Sequence, residues 1–285
     1  MPKTYNSLFI ETRRALRDAG IEACSLEARL LLSAASGKTR EAVLRDMQLY
    51  SSDEIEDTLH SLTARRLRGE PAAYVTERWE FYGLELKVTP AVLIPRSDTE
   101  TLVTRALELV RDRPEDLRFL DLCTGSGCVG CALAHALERS RGVLMDNSLD
   151  ALDVARENAA SLGLARRVEC IAGDVRRPPD PALGSFSLIV SNPPYVPRGE
   201  IPLLEASVRD FEPHAALDGG EDGLDFYRAI LQNSVQALRS GGWLLFEVGE
   251  DQAHAVSLLL RRAGLRGVGS ARDLQGIERV VFGKK

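Results

Sequence analysis

The chain has 285 residues, 44% of them apolar and 27% charged, enough for a sizeable buried core and for two domains or one with an appendage. A net charge of −6 argues against nucleic acid as the main partner, because neutralising phosphates supplies most of that affinity. No apolar run approaches the roughly 18 residues of a membrane span, and five cysteines without an apolar leader fit free thiols in a reducing cytoplasm.

In chain order, Leu8, Ala15, Leu16 and Ala19 recur at helical spacing, and Gly20 ends that segment. Ser25 precedes a second helix carrying Leu26, Leu30 and Leu31, closed by Gly37, and Thr39 opens a short third one. Ser51 with Glu54 reads as a capping box for a fourth, which carries Ile55, Leu59, Leu62 and Leu67 and stops at Gly69 and Pro71. This region carries no polar constellation beyond solvated charge. A scaffold and a partner-docking module suit it equally. Trp79–Phe81 and Leu84–Val88, joined at Tyr82-Gly83, read as a hairpin connector. Ser97 with Glu100 reads as a second capping box, opening a helix with Leu102, Val103, Ala106, Leu107 and Val110.

From residue 118 strands and helices alternate, the pattern of a parallel sheet with helices on both faces. The seven expected strands are Arg118–Leu122, Gly142–Met145, Arg167–Ile171, Phe186–Val190, Trp243–Val248, Leu265–Gly269 and Ile277–Phe282. Helices are expected over 128–138, 149–161, 223–239 and 251–263. Cys128 and Cys131 form a C-x-x-C pair, but no second pair or nearby His completes a metal set, so both read as small buried helix residues.

Two places carry chemistry. The first expected strand runs into Cys123-Thr124-Gly125-Ser126-Gly127 and then a helix. Glycines let a ligand approach the backbone, and a helix N-terminus offers unpaired N–H groups to an anion. The turn lacks the G-x-G-x-x-G spacing that suits a pyrophosphate. Asp146 ends the second strand, where an acid can accept from both ribose hydroxyls, and Asp174 follows the third, within reach of an adenine amino group. A nucleoside whose anion is a carboxylate fits this set, and S-adenosylmethionine is such a molecule. The second place is Asn192-Pro193-Pro194-Tyr195, which must end the fourth strand because two prolines cannot continue a ladder. The Asn192 amide oxygen and the Pro193 carbonyl can each accept one hydrogen of a planar NH2 group, and Tyr195 offers a flat face to lie against it.

These motifs resemble the HemK/PrmC family, the N5-glutamine methyltransferases of class-1 peptide chain release factors. The resemblance covers nearly the whole chain. Besides the turn and Asn192–Tyr195 it rests on Gly69-Glu70-Pro71, Ile94-Pro95-Arg96 with Asp98-Thr99-Glu100, and Phe211-Glu212-Pro213. It also rests on Ala216–Gly220 with Asp222-Gly223-Leu224, and on Asp273 with Gly276 and Glu278-Arg279-Val280. It implies an α/β architecture: a small all-helical domain (1–76), a β-hairpin linker (77–95) and a Rossmann-like methyltransferase domain (96–285) with a seven-stranded, mostly parallel sheet. It implies S-adenosylmethionine as methyl donor, S-adenosylhomocysteine as product, a release-factor glutamine as acceptor and an effect on translation termination. Cys123–Gly127, Asp146, Asp174, Val175 and Asn192 would meet the cofactor. Asn192, Pro193, Pro194 and Tyr195 would hold the glutamine and carry the catalysis.

The sequence departs from the family pattern where Cys123 replaces a usual glycine and Ser97 a usual proline. A side chain at 123 calls for an ordinary negative φ and some room. Two other readings remain. One is an N6-adenine or N2-guanine nucleic-acid methyltransferase with the same acceptor motif. The other is a cofactor-binding regulator without catalysis. The short basic clusters Arg65-Arg66-x-Arg68 and Arg176-Arg177 lie among acids, so direct nucleic-acid binding is not expected.

Overall fold

The computed structural model describes residues 2–111 and 117–285. Two compact units emerge: Met1–Arg78 with Ala206–Phe211, and Trp79–Glu205 with Glu212–Lys285.

The first unit is helical. It contains α1 (Tyr5–Asp18), α2 (Cys24–Ser36), α3 (Arg40–Arg45), α4 (Asp53–Leu67) and α5 (Ala72–Thr76). Leu8, Leu16, Leu31, Leu32 and Leu59 meet in one apolar cluster, and this burial holds helices too short to be stable alone. Gly37 ends α2 in the left-handed conformation, and the Thr39 hydroxyl caps α3. The α4 cap differs from expectation. Ser52 accepts from Ile55 N–H at 3.4 Å, while the Ser51 hydroxyl donates to Lys3 O at 2.9 Å and is bonded to Glu56 at 2.9 Å. The neighbouring serine is taken up by tying the chain's start to α4.

The second unit opens with the hairpin β1 (Arg78–Phe81) and β2 (Leu84–Lys87), then a 3-10 turn at Ser97–Thr99 and α6 (Glu100–Val110). The capping box expected at Ser97 does not form. The Glu100 carboxylate instead accepts from Tyr82 N–H at 2.8 Å, binding hairpin to helix. Next come β3 (Arg118–Leu122), α7 (Cys128–Ala136), β4 (Arg141–Asp146), α8 (Leu149–Ser161), β5 (Val168–Ala172) and β6 (Phe186–Ser191). After α9 (Ala206–Arg209), which belongs to the first unit, come α10 (Asp225–Asn233), β7 (Leu238–Glu247), α11 (Ala253–Arg262), β8 (Arg266–Arg272) and β9 (Glu278–Lys284). The single helix expected over 223–239 is cut short. A 3-10 turn, Val235–Ala237, follows α10, and β7 begins at Leu238 because that residue pairs with Phe186 ahead of a bulge.

The seven strands lie in the order β5-β4-β3-β6-β7-β9-β8. The first five are parallel, and β9 runs antiparallel to both β7 and β8. Alternate residues feed different faces: Phe119 and Leu188 enter one apolar cluster, Leu120 and Ile189 the other. β6 is buried along its length, as a central parallel strand covered on both faces must be. Because β3 has β4 on one side and β6 on the other, the chain leaves β3 at a topological switch point, where a crevice opens at the carboxyl ends.

Candidate active site

The crevice is floored by the turn after β3. Asp121, buried within that strand, accepts from the Thr124 hydroxyl at 2.5 Å and from Gly130 N–H at 2.9 Å, pinning the turn to the start of α7. Gly125 (φ 55°) donates to Asp146 at 2.9 Å, so the tips of β3 and β4 are tied together. Gly127 serves packing: a Cβ there would meet Ala155 Cβ and Leu144 Cδ2 at 3.1 Å.

Cys123 overturns the expectation of a negative φ. It stands at φ 57°, a left-handed conformation that costs a non-glycine residue about 1–2 kcal/mol. The turn keeps the glycine geometry and the cysteine adopts it. Its thiol is pushed up by burial and by the Asp146 carboxylate, so it stays a neutral, partly buried group on the cavity wall.

Of the sequence-predicted cofactor residues, Cys123, Thr124, Gly125 and Ser126 line one cavity with Asp146, Asp174, Val175 and Asn192. The Asp146 carboxylate also accepts from Ser148 N–H at 3.0 Å, and burial raises its pKa against these bonds. Asp174 accepts from Arg176 N–H at 2.9 Å. Asp146 and Asp174 put carboxyl groups on one cavity wall, which suits a cationic ligand, while the Asp121 carboxyl is pushed up to about 7 by burial and serves chiefly to pin the turn. Ser126 Oγ is buried there without a hydrogen-bond partner, a donor left for an anion such as a carboxylate. Glycine cradle, strand-tip acids and orphan hydroxyl together fit a nucleoside carrying both an ammonium and a carboxylate, which S-adenosylmethionine does.

The four-residue motif divides. Asn192 and Pro194 belong to the cavity wall, whereas buried Pro193 and half-buried Tyr195 stand outside it. Asn192 Nδ2 donates to Thr99 Oγ1 at 3.2 Å, so its Oδ1 is the end left to accept. The loop after α9 grips the backbone of Tyr195. A Cβ on Gly219 would fall 2.7 Å from Tyr195 Cα, and one on Gly223 would fall 2.4 Å from Tyr195 O. Gln252 Nε2 donates to that same carbonyl at 2.9 Å, and Gly249 N–H donates to Gln252 Oε1 at 3.1 Å.

Sequence reasoning missed several members. Asp121 is a carboxylate inside an otherwise apolar strand segment, a signal that was there to read. Phe226, buried on the wall with the Arg176 guanidinium 5.1 Å from its ring, carried none, since its helix looked merely amphipathic. Glu212 accepts from Ile94 N–H at 3.2 Å and is bonded to Arg96, joining two segments that flank the cavity.

Residues 7–76 match the family model "PrmC N-terminal domain", and residues 100–206 match "Methyltransferase small domain". A release factor glutamine methyltransferase of Bradyrhizobium diazoefficiens is 42% identical over 274 residues, covering 95% of this chain and 91% of that one. This chain belongs to the release factor glutamine methyltransferase family. A second member, from Geobacter sulfurreducens, is 42% identical over 275 residues, covering 96% and 94%. The fold extends further. The hMettl16 catalytic domain, solved with MAT2A 3'UTR hairpin 6, superposes with a TM-score of 0.59 at 15% identity, over 83% of this chain and 84% of that one. That likeness concerns the fold alone. The family is one of S-adenosylmethionine-dependent enzymes, in keeping with the cavity. Among the described residues no helix is long and apolar enough to cross a membrane.

Proposed function

We propose that this chain transfers a methyl group from S-adenosylmethionine to the side-chain nitrogen of a glutamine in class-1 peptide chain release factors, in the cytoplasm, and so modulates translation termination. The observation that carries this reading is Asn192. It stands at the tip of β6 on the wall that also holds Asp146 and Asp174, with Nδ2 engaged and Oδ1 left to accept.

The cofactor, when bound, supplies an electrophilic methyl carbon. The chain's residues do the rest. Asp146 would hold the ribose, Asp174 and Val175 the adenine, and the turn Cys123–Gly127 the methionine end. A carboxamide nitrogen is a poor nucleophile because its lone pair is delocalised into the carbonyl. Asn192 Oδ1 and the Pro193 carbonyl would take its two hydrogens, let density build on nitrogen and aim it. Such positioning contributes roughly 7–11 kcal/mol in the best cases. Acceptor dipoles fixed where positive charge develops add to it. Pro194 shapes the tip and Tyr195 gives the amide a flat neighbour. The methylated nitrogen then sheds a proton, and no strong base is needed.

Selectivity for one glutamine must come from contacts away from the reacting amide. We assign that docking role to the helical residues 1–76, with 77–95 as connector and 96–285 as the chemical domain. The test is a labelled-methyl assay offering release factor, nucleic acid or neither. Label on a release-factor glutamine is expected. Label on adenine or guanine would favour nucleic-acid methylation instead, and none at all would favour a regulator without catalysis.

A further inference from the structure

We infer that Gln252 is a positioning residue for methyl transfer. Its carboxamide holds the main-chain carbonyl of Tyr195 and so keeps Asn192–Tyr195 in the shape that receives the substrate amide. This deepens the function proposed above and rests on it. Pro193 and Pro194 have no N–H to donate, so the motif has few main-chain bonds of its own to fix it. A segment that aims a reacting nitrogen must nevertheless be held closely, since a misplacement of about 1 Å can cost about 10²-fold in rate.

The orientation of the Gln252 carboxamide is settled by main-chain groups with a single role each. Gly249 N–H can only donate, and it reaches Oε1 at 3.1 Å. Tyr195 O can only accept, and it does so from Nε2 at 2.9 Å. Gly223 O lies 3.5 Å from the same nitrogen. Tyr227 O–H, which donates to Glu247 O at 2.9 Å, stands 3.4 Å from Oε1. One side chain thus joins the end of β7, the loop before α10 and the acceptor motif. Gln252 precedes α11 in the turn after β7, and β7 lies beside β6 (Ser191 pairs with Phe246). It therefore sits at the carboxyl end of the sheet, where the crevice opens. It is not part of the cavity wall, so it acts through Tyr195.

The surroundings are built for this. A Cβ on Gly249 would fall 3.1 Å from Tyr195 Cδ2 and 3.0 Å from Gln252 Oε1. With Gly219 and Gly223 it leaves the room in which Tyr195 and Gln252 meet. The loop that supplies those two glycines is itself tied to the chain just past the motif. Val196 N–H donates to Leu217 O at 3.0 Å, and Gly219 N–H donates to Val196 O at 2.9 Å, a short parallel bridge. Asp218 accepts from Gly220 N–H at 2.9 Å and from Arg198 Nε at 3.0 Å. Two segments without an evident role in the sequence, Ala216–Gly220 and Asp222-Gly223-Leu224, thereby acquire one: they back the acceptor motif, and Gln252 locks them to it.

The test uses the full chain, a release factor and S-adenosylmethionine. Gln252→Met keeps the length and removes donor and acceptor together. It is expected to slow single-turnover transfer at saturation roughly 10-fold, with KM for the release factor and cofactor Kd by calorimetry within about twofold of wild type. Gln252→Glu keeps the shape and makes the donor titratable. Ionised, the carboxylate sets an acceptor against Tyr195 O. Protonated, it donates to Tyr195 O and still accepts from Gly249 N–H, as the amide does. Its rate relative to wild type is expected to be about 0.1 at pH 8.5 and to rise about threefold or more by pH 6, while that of Gln252→Met stays flat. The charged groups of the surrounding elements, Asp222 and Asp225 with Arg228, Glu247 and Asp251, are common to both chains and cancel in that ratio. A wild-type rate in Gln252→Met, a flat ratio in Gln252→Glu, or a loss of cofactor affinity equal to the loss of rate would each overturn the assignment. Should Gln252→Met unfold, the pH ratio of Gln252→Glu decides alone. If the wild-type chain labels no release-factor glutamine, the proposed function fails. If it does and the Gln252 variants match it, only this assignment fails.

Discussion

The two units spend their side chains in opposite ways. Among the described residues, six of the ten exposed large apolar ones, including Leu49 at 55% and Tyr50 at 70% exposure, belong to the helical unit, which has far fewer residues than its neighbour. Both units bury polar groups, but the α/β unit buries its deepest carboxylates, Asp121, Glu212 and Glu247, all at 6% exposure or less, beside Thr99 and Asn158. Exposed apolar surface is what a macromolecular partner can use, and buried, oriented polarity is what a reaction needs. The proposed division of docking from chemistry follows that difference, and each substitution below is a way to break or sharpen it.

The largest effect is expected at Asn192. Asn192→Ala should lower single-turnover transfer by about 10²–10³-fold, the loss typical of one oriented electrostatic group, while cofactor affinity by calorimetry stays within about twofold. Equal losses in both would make Asn192 a cofactor residue instead. Next comes the loop behind Tyr195. Gly223 sits at φ 74°, and a Cβ would fall 2.4 Å from Tyr195 O and 2.5 Å from Gln252 Nε2. Gly223→Ala should cost about 3 kcal/mol in urea unfolding, from strain and overpacking together. A neutral result would show that the motif is not held from behind.

Much of this was legible in the sequence and some was not. β3 and α8 begin and end where periodicity and capping place them, because a buried parallel strand and a well-capped helix announce themselves locally. The split of 223–239 into α10, a turn and β7 depends on Phe186 pairing with Leu238, about fifty residues away, which no local pattern records. The acids at Asp146 and Asp174 were readable as strand-tip residues. Ser52 displaced Ser51 as a cap because Ser51 was claimed by Lys3 and Glu56, again a tertiary decision.

The helical unit gives a middling prediction. Leu49→Ala combined with Tyr50→Ala should raise KM for the release factor by about tenfold and leave the single-turnover rate at saturation unchanged, as loss of interface anchors does. A fall in the rate with KM unmoved would contradict the division of labour. Smaller still is the effect at Cys123. Cys123→Gly should exceed Cys123→Ala in stability by about 1 kcal/mol, because only glycine relaxes a φ of 57°. Equal stabilities would mean that the left-handed conformation carries no strain.

The last expected effect is a pH dependence. Burial pushes the Asp121 and Glu247 carboxyls from ordinary values of 3.8 and 4.5 up to about 7, so the folded chain holds protons that the unfolded chain has released. Their contribution is present below the unfolded values and is lost as pH rises towards 7. Glu247→Gln should therefore lose less stability than wild type between pH 5 and pH 8, read from urea midpoints. Parallel losses would place Glu247 in a wetter setting.

The most direct measurement is a crystal structure of the chain with S-adenosylhomocysteine and a glutamine-bearing release factor. The account predicts adenosine against Asp146 and Asp174, the glutamine nitrogen about 3 Å from Asn192 Oδ1, and that nitrogen in line with the cofactor sulfur. A glutamine seated away from the tip of β6, or a nucleoside outside the β3–β4 crevice, would contradict it.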